Sequence, residues 1–155
     1  MYITIIAVGK LKEEYWNVLS EEYLKRISPY AKITVKEVPN TPFHDGDNIE
    51  KIKEIELANI EKQIEKDSFV IFLKEEGKEY SSVEFSKFLD EQTNTGQHIT
   101  FVIAGALGFA EKHKNLMNSS LSLSKMTFPH KMARIILLEQ IYRAISIKIG
   151  KTYHY

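Results

Sequence analysis

The sequence contains no cysteine, and this absence excludes several classes of protein. Without thiols the chain can form no disulfide framework, no cysteine-ligated zinc or iron–sulfur site and no thiol nucleophile. It also lacks an apolar run close to the ~20 residues that a membrane-spanning helix needs, and it begins like a strand rather than with the basic start of a signal peptide. We therefore expect a soluble cytoplasmic protein that binds neither a membrane nor a metal.

The chain also has no formal net charge, because 21 Lys and Arg balance 21 Asp and Glu. A neutral chain argues against a nucleic-acid partner, since phosphate contacts dominate that kind of affinity. The distribution, however, is uneven: residues 1–100 hold 13 basic and 19 acidic side chains, whereas residues 101–155 hold 8 basic and 2 acidic ones. The C-terminal third can therefore face a polyanion, or the two parts can attract each other within the fold or across a dimer.

The composition that remains is that of a folded protein. A chain of 155 residues with 43% hydrophobic side chains suits one domain, and folding should bury about two-thirds of its surface. Neither a repeat nor a linker interrupts the pattern. We therefore predict a single domain over residues 1–155.

Strand and helix patterns alternate along the chain. Most of the strand runs are apolar without polar alternation, which is typical of a mostly parallel sheet with helices on both faces. Ser81 and Glu84 have the spacing of a capping box at the start of a helix. The sequence thus predicts an α/β fold, with strands at residues 2–8, 31–38, 68–73, 99–104 and 121–124 and helices at residues 11–27, 49–66, from 81 onward, 109–117 and 129–149.

Ligands of parallel α/β sheets bind at the carboxyl ends of the strands, so the loops that follow three strands are candidate binding segments. Residues 73–80 contain a glycine, as an ordinary turn would. Residues 105–108 place two glycines directly after a buried strand. They lack the other residues of a dinucleotide fingerprint or of a phosphate-binding loop, which leaves a site made from backbone groups.

The third loop, residues 124–130, is the most specific of these segments. It exposes backbone groups before Pro129 and places Met126 and Phe128 among small hydroxyl side chains. A flat heterocycle such as adenine could lie between the apolar side chains and bond to the main chain. The alternative is that Met126 and Phe128 simply fill the core.

The last predicted helix is apolar around almost its whole circumference, as buried helices are. The simplest cover in a chain of this size is the same helix of a second copy, so we predict a two-fold homodimer. Arg134 and Arg143 point to opposite sides of the helix. Arg143 shares a face with Glu139 and can form a helix ion pair, whereas Arg134 shares a face with His130 and is the better candidate for an anionic ligand.

Five motifs occur in order along the chain: residues 73–77, Phe101-Val-Ile-Ala-Gly-Ala-Leu-Gly108, Leu123-Ser-Lys-Met-Thr-Phe-Pro-His130, Leu138-Glu-Gln-Ile-Tyr-Arg-Ala144 and Tyr153-His154. Together they resemble a known family, the small SPOUT-class methyltransferases that modify N3 of pseudouridine in large-subunit (23S) ribosomal RNA. The resemblance spans the whole chain, including its length and its terminal tail.

The resemblance implies a homodimeric enzyme that uses S-adenosyl-L-methionine and acts on ribosomal RNA or the assembled ribosome. It also implies a C-terminal trefoil knot, against the general rule that chains are not knotted. When the family's positions are carried over, the resemblance implies that the cofactor is bound mainly through backbone groups of these residues: Leu73, Gly105, Ser124, Lys125, Met126, Thr127, Phe128 and Pro129. The catalytic or substrate-side candidates are His154, Tyr153, Arg143, Arg134 and His130.

The imide N–H of pseudouridine must lose its proton during such a reaction, so a base or a stabiliser of the anion is expected. The hypothesis gives His154 the proton-accepting or orienting role, Tyr153 a stacking role and an arginine the stabilising role. Two positions depart from the family pattern. Ala104 replaces a common glycine, which is harmless if its methyl group faces the core, and Tyr155 stands where a basic residue often follows, which weakens the case for a tail contact to phosphate.

Two other functions remain open on the sequence alone. One is a dimeric RNA-binding or ribosome-associated module without catalysis, which would use the basic C-terminal third. The other is a small nucleotide-binding enzyme built around Gly105, which the missing phosphate-loop residues disfavour.

Overall fold

A computed structural model describes residues 1–154 of the chain. Strands and helices alternate, as the sequence predicts. The elements are β1 (Tyr2–Val8), α1 (Glu14–Ile27), β2 (Lys32–Val38), α2 (Ile49–Glu61), β3 (Phe69–Glu79), α3 (Ser82–Asn94), β4 (Ile99–Ile103), a short 3-10 helix (Glu111–Asn115), β5 (Ser119–Ser122) and α4 (His130–Lys148).

The five strands form one parallel sheet in the order β2-β1-β4-β3-β5. Apolar side chains leave both faces of this sheet and enter two clusters. One cluster lies under α1, α3 and α4, and the other lies under α2 and the segment of the 3-10 helix. The predicted α/β class, with helices on both faces, is therefore confirmed. Parallel pairing brings the carboxyl ends of all five strands to one edge.

Strand β3 is longer than its apolar run, and the predicted loop over residues 74–80 is wrong in its extent. Leu73 and Lys78 both pair with Leu121 of β5, so residues 74–77 leave the ladder as an excursion and the strand then resumes. Gly77 closes this excursion against β5, where an added Cβ would lie 2.7 Å from the Leu121 carbonyl carbon. The excursion carries the charged side chains that gave these residues a loop-like pattern.

Helix termini follow local chemistry. The capping box of α3 is present, with the Ser81 hydroxyl accepting from the Glu84 N–H and the Glu84 carboxylate accepting from the Ser81 N–H. Pro129 is the N-cap of α4 instead of its first residue, and Gly150 follows the helix with φ +70. Helix α2 ends at Glu61, before the predicted residue 66, and Asp67 takes a positive φ in the turn that leads to β3.

Helix α4 is buried mostly by other elements of its own chain. It packs between α1 and α3 and against the sheet, with Leu137, Leu138 and Ile141 fully buried. Met132 and Ile149 remain exposed near its two ends. A second copy is therefore not needed to bury the helix as a whole, and the homodimer stays a prediction, as does the trefoil knot.

Candidate functional site

A cavity of about 830 Å³ lies at the carboxyl ends of β3, β4 and β5. Its volume is in the range of small-molecule sites, and all three candidate loops contribute to its wall. Seven of the eight predicted cofactor residues line it: Leu73, Gly105, Ser124, Met126, Thr127, Phe128 and Pro129. The cavity wall does not include Lys125, whose exposed ammonium lies 3.8 Å from Glu79 Oε1.

The 124–130 loop is held by its own hydroxyl groups. The Ser122 hydroxyl donates to the Ser124 carbonyl at 3.0 Å, and the Ser124 hydroxyl accepts from the Met126 N–H at 3.0 Å. Met126 is 74% exposed and Phe128 is half-buried, so the alternative that both side chains fill the core is wrong. The loop instead presents them beside the cavity.

Gly105 allows the β4 loop to pack closely against the sheet and α2. An added Cβ would lie 3.0 Å from Val8 Cγ1 and 3.3 Å from Glu56 Oε2. Glu56 is buried, its Oε1 accepts from the Thr41 N–H at 2.8 Å, and burial raises its pKa. The neighbouring Ala104 is half-buried and belongs to the cavity wall. The position at which this chain has alanine instead of the family's common glycine therefore lies in the cavity wall.

His130 is the one substrate-side candidate in this cavity wall. Burial lowers its pKa, and the nearby charges of Lys131 and Arg134 lower it further. A neutral imidazole at this position can accept a proton or a hydrogen bond. The structure therefore joins His130 to the predicted cofactor loops.

Arg134 forms an internal clamp. Its side chain is 3% exposed, Nη1 donates to Glu37 Oε1 at 2.6 Å, and Nη2 donates to the Gly9 carbonyl at 2.9 Å. The start of α4 is thus fixed to the ends of β1 and β2. Both of these guanidinium nitrogens already have protein acceptors, which leaves Arg134 poorly placed for the anionic ligand that the sequence suggested.

The terminal tail packs on the C-terminal half of α4. The Arg143 guanidinium pairs with Glu139 at 2.6 Å and lies 4.8 Å from the centre of the Tyr153 ring. The Tyr153 hydroxyl donates to Glu139 Oε1 at 3.3 Å, and Arg143 Nη1 is 3.4 Å from His154 Nδ1. Burial and Tyr23 raise the pKa of Tyr153 to about 12. The helix ion pair expected from the sequence is present, and the tail is built onto it. Tyr155 lies outside the described residues.

The tail cluster and the cavity are separate in one chain. Arg143, Tyr153 and His154 do not line the cavity. Thirteen residues along α4 separate His130 from Arg143, which corresponds to roughly 20 Å at 1.5 Å per residue. The structure thus divides the predicted catalytic set between the cavity, which has His130, and the tail cluster, while Arg134 belongs to neither.

Sequence reasoning missed His113, which also lines the cavity. This residue lies in the 3-10 helix between Lys112 and Lys114, a pattern typical of a solvated surface. Its side chain is nevertheless 4% exposed and stacks on Phe109. The spacing of Phe109 and His113, four residues apart, is the one signal in the sequence that favours an inward ring.

The basic side chains of the C-terminal third are largely paired. Seven of them lie within 4.0 Å of an acid: Lys112, Lys114, Lys125, Lys131, Arg134, Arg143 and Lys148. Five of the seven acids come from residues 13–90. Attraction within the fold, one of the two explanations left open by the sequence, is thus confirmed as a use of this charge.

The chain belongs to the broad class of α/β proteins with a parallel sheet and a cavity at the carboxyl ends of the strands. Proteins of this architecture bind their ligands at that edge of the sheet. Within residues 1–154 no helix has the length and apolarity required to cross a membrane. The same part of the chain holds no group of three or more His, Asp or Glu side chains arranged to bind a metal.

Comparison with known proteins identifies the family within this class. The sequence model of a family described as "Predicted SPOUT methyltransferase" matches residues 1–154. A protein of Methanococcus maripaludis strain C5 named "Putative ribosomal RNA large subunit methyltransferase H" is 46% identical over 158 residues, covering 99% of both chains. A Clostridium tetani protein named "Ribosomal RNA large subunit methyltransferase H" matches with the same identity and coverage. The chain belongs to the SPOUT methyltransferase family.

Proposed function

We propose that this protein is an S-adenosyl-L-methionine-dependent methyltransferase that methylates N3 of a pseudouridine in 23S ribosomal RNA, on the assembled ribosome in the cytoplasm. One observation carries the proposal: the three loops that bear the family's cofactor motifs meet around one cavity of suitable size. The full-length relatives named ribosomal RNA large subunit methyltransferase H support the choice of substrate.

The cavity residues fit this cofactor. Leu73, Leu123 and Phe128 supply apolar surface for an adenine, while the backbone of the 124–129 segment supplies donors and acceptors. Gly105 contributes main chain to the cavity wall, and the buried Nε2 of His113 has no hydrogen-bond partner among the described residues. When bound, the cofactor would supply a methyl group on a sulfonium for transfer to the ring nitrogen.

The chain's own contribution to such a reaction is alignment, exclusion of water and proton handling. Transfer to a ring nitrogen is an in-line displacement, so holding the two reactants in line supplies much of the acceleration. The rigid placement of the 124–130 loop by α4 and its clamps, Arg134–Glu37 and Lys131–Glu13, serves this alignment. In this proposal His130, which lines the cavity, interacts with the target nucleobase, and its lowered pKa favours the neutral imidazole that can accept a proton.

The tail would act on the cavity of a second copy. Arg143 lies roughly 20 Å along α4 from His130, and Tyr153 and His154 pack beside Arg143. None of the three lines the cavity of its own chain, so a second copy whose tail met this cavity would bring both groups to one nucleotide. This supports a homodimer in which the tail provides stacking by Tyr153, anion stabilisation by Arg143 and proton acceptance or orientation by His154. The Tyr153 hydroxyl is protonated, and therefore a donor, at neutral pH, and its raised pKa of about 12 extends this state to more alkaline pH.

The cofactor and the substrate are tested separately. Calorimetric titration should show binding of S-adenosyl-L-methionine, and absence of binding at millimolar cofactor would reject the proposal. Methyl-labelled cofactor is then incubated with assembled ribosomes, free subunits and naked ribosomal RNA, and the label is mapped. Label at a pseudouridine of large-subunit RNA is the expected result. Ribosome binding unaffected by the cofactor, with no label in RNA, would instead support the non-catalytic module.

The two-chain site has its own experiment. A chain lacking residues 153–155 is mixed with a chain carrying a defective cavity, and the subunits are allowed to exchange. Each variant alone should be inactive, whereas the mixture should recover part of the activity, because one intact cavity meets one intact tail. No recovery under conditions where exchange is demonstrated would place the tail and cavity of one chain in the same site.

A further inference from the structure

His113 occupies an unusual position for a histidine between two lysines. Its ring centre lies 5.4 Å from those of Phe72 and Phe109, and the rings of His113 and Phe109 are stacked at 26°. Phe72 belongs to β3 and Phe109 to the loop after β4. The imidazole is therefore fixed by aromatic packing in the wall of the cavity, while Lys112 and Lys114 remain at the surface.

The hydrogen bonds of the ring define its tautomer. His113 Nδ1 lies 2.7 Å from the Ala110 carbonyl oxygen, which can only accept, so Nδ1 carries the hydrogen. In the neutral ring Nε2 is then a lone-pair acceptor. This atom is shielded from solvent and has no partner among residues 1–154. Buried polar atoms are nearly always bonded, and one left without a partner costs on the order of a lost hydrogen bond.

We propose that His113 is a ligand-binding residue whose Nε2 accepts a hydrogen bond from an N–H or O–H group of the cofactor. This inference rests on the proposed function. The described residues offer Nε2 no donor, and a group that enters the cavity would supply one when the side chains that shield this atom move aside. S-adenosyl-L-methionine offers an exocyclic amine, two ribose hydroxyls and an ammonium as donors. Glu76 and Glu111 also line the cavity, but carboxylates accept hydrogen bonds and cannot fill this role.

Two substitutions separate ligand binding from structural support. An asparagine amide extends about as far as Nδ1 and can still donate to Ala110, whereas a glutamine amide extends about as far as Nε2 and can accept there. His113→Asn should weaken cofactor binding about fivefold, the typical effect of one neutral hydrogen bond. His113→Gln should bind closer to the wild-type protein. Equal binding by His113→Asn and the wild type, or weaker binding by His113→Gln than by His113→Asn, would overturn the assignment.

His98→Asn is the matched control. His98 bonds Thr4 from the residue before β4, at the opposite edge of the sheet, so this change should leave cofactor affinity unchanged. Thermal unfolding of all three variants verifies that they are folded. If the wild-type protein itself shows no binding, the proposed function fails; if the wild type binds and the asparagine variant binds equally, only the role of His113 fails.

A measurement on the wild-type chain avoids substitutions altogether. With histidine labelled by ¹⁵N, the unprotonated Nε2 of His113 should give a resonance that moves when the cofactor is added, because its lone pair takes up a hydrogen bond. The Nδ1 resonance, already bonded to Ala110, should move less. Cofactor binding with a stationary Nε2 resonance would remove His113 from the binding site.

Discussion

Gly105→Ala is the sharpest test of how the cavity is built. The new methyl carbon would lie 3.0 Å from Val8 Cγ1, although carbon atoms pack comfortably at roughly 3.5–4.0 Å. Val8 is fully buried in β1, and Glu56 blocks the other side at 3.3 Å, so neither neighbour has room to yield. Overpacking of this kind costs about 1–2 kcal/mol, which lowers the melting temperature of a chain of this size by about 3–6 °C.

The clash predicts a specific rescue. Val8→Ala removes the opposing methyl group and destabilises the chain by itself, but in the double variant the methyl group added at position 105 refills part of the space. Urea unfolding should therefore show a favourable coupling of at least about 0.5 kcal/mol between the two changes. Cofactor affinity, measured by calorimetry, should fall in Gly105→Ala because the loop is pushed toward the cavity, and should recover partly in the double variant.

Gly108→Ala serves as the control for backbone strain. Gly108 has φ +78 and open space around its Cα, so alanine there is unfavourable through conformation and not through contact. Its cost, about 1 kcal/mol, should add to that of Val8→Ala without coupling. Additive effects of Val8→Ala and Gly105→Ala, or an unchanged stability of Gly105→Ala, would refute the packing argument.

Three further predictions concern single side chains and the tail. Arg134→Met leaves Glu37 without its partner and should lower the free energy of unfolding by about 2–4 kcal/mol in urea titrations, whereas wild-type stability would show that the clamp contributes nothing. Burial raises the pKa of Glu56 above 4.5, so the folded chain binds this proton more tightly than the unfolded chain and loses stability as the pH rises above that value. Glu56→Gln removes the titration but can keep the bond to Thr41, so its stability relative to wild type should increase as the pH rises above 4.5; parallel profiles would contradict this. Deletion of residues 153–155 should abolish methyl transfer while sparing cofactor binding, and unchanged turnover would exclude the tail from the mechanism.

The element pattern was readable from the sequence because each strand is apolar over its buried length. Residues 2–8 and 99–103, for example, pack helices on both faces and therefore show the uninterrupted pattern that predicts a parallel sheet. The candidate binding loops follow from the same reasoning, since the strand ends fix where they lie. The sequence predicts too short a β3, because the charges of residues 74–76 conceal a strand that resumes after an excursion.

The uses of single polar residues could not be read in the same way. Glu56 lies among the many charges of α2, and His113 lies between two lysines, yet both are buried. Their burial depends on neighbours that are distant in sequence: Gly105 against Glu56, and Phe72 against His113. Arg134 likewise shares a helix face with His130, but its partner Glu37 lies 97 positions earlier and carries no local signal.

The excursion in β3 allows the cavity wall to change without a change in the sheet. Leu73 and Lys78 both pair with Leu121, so β3 shifts by five residues against β5 across the excursion, while β5 itself runs on without interruption. A change in the length or chemistry of residues 74–76 would alter one wall of the cavity without shifting a strand. Gly77, which touches the backbone of β5, is the fixed boundary of this segment. Substitutions in this segment would therefore change the cavity wall while the sheet on either side is retained.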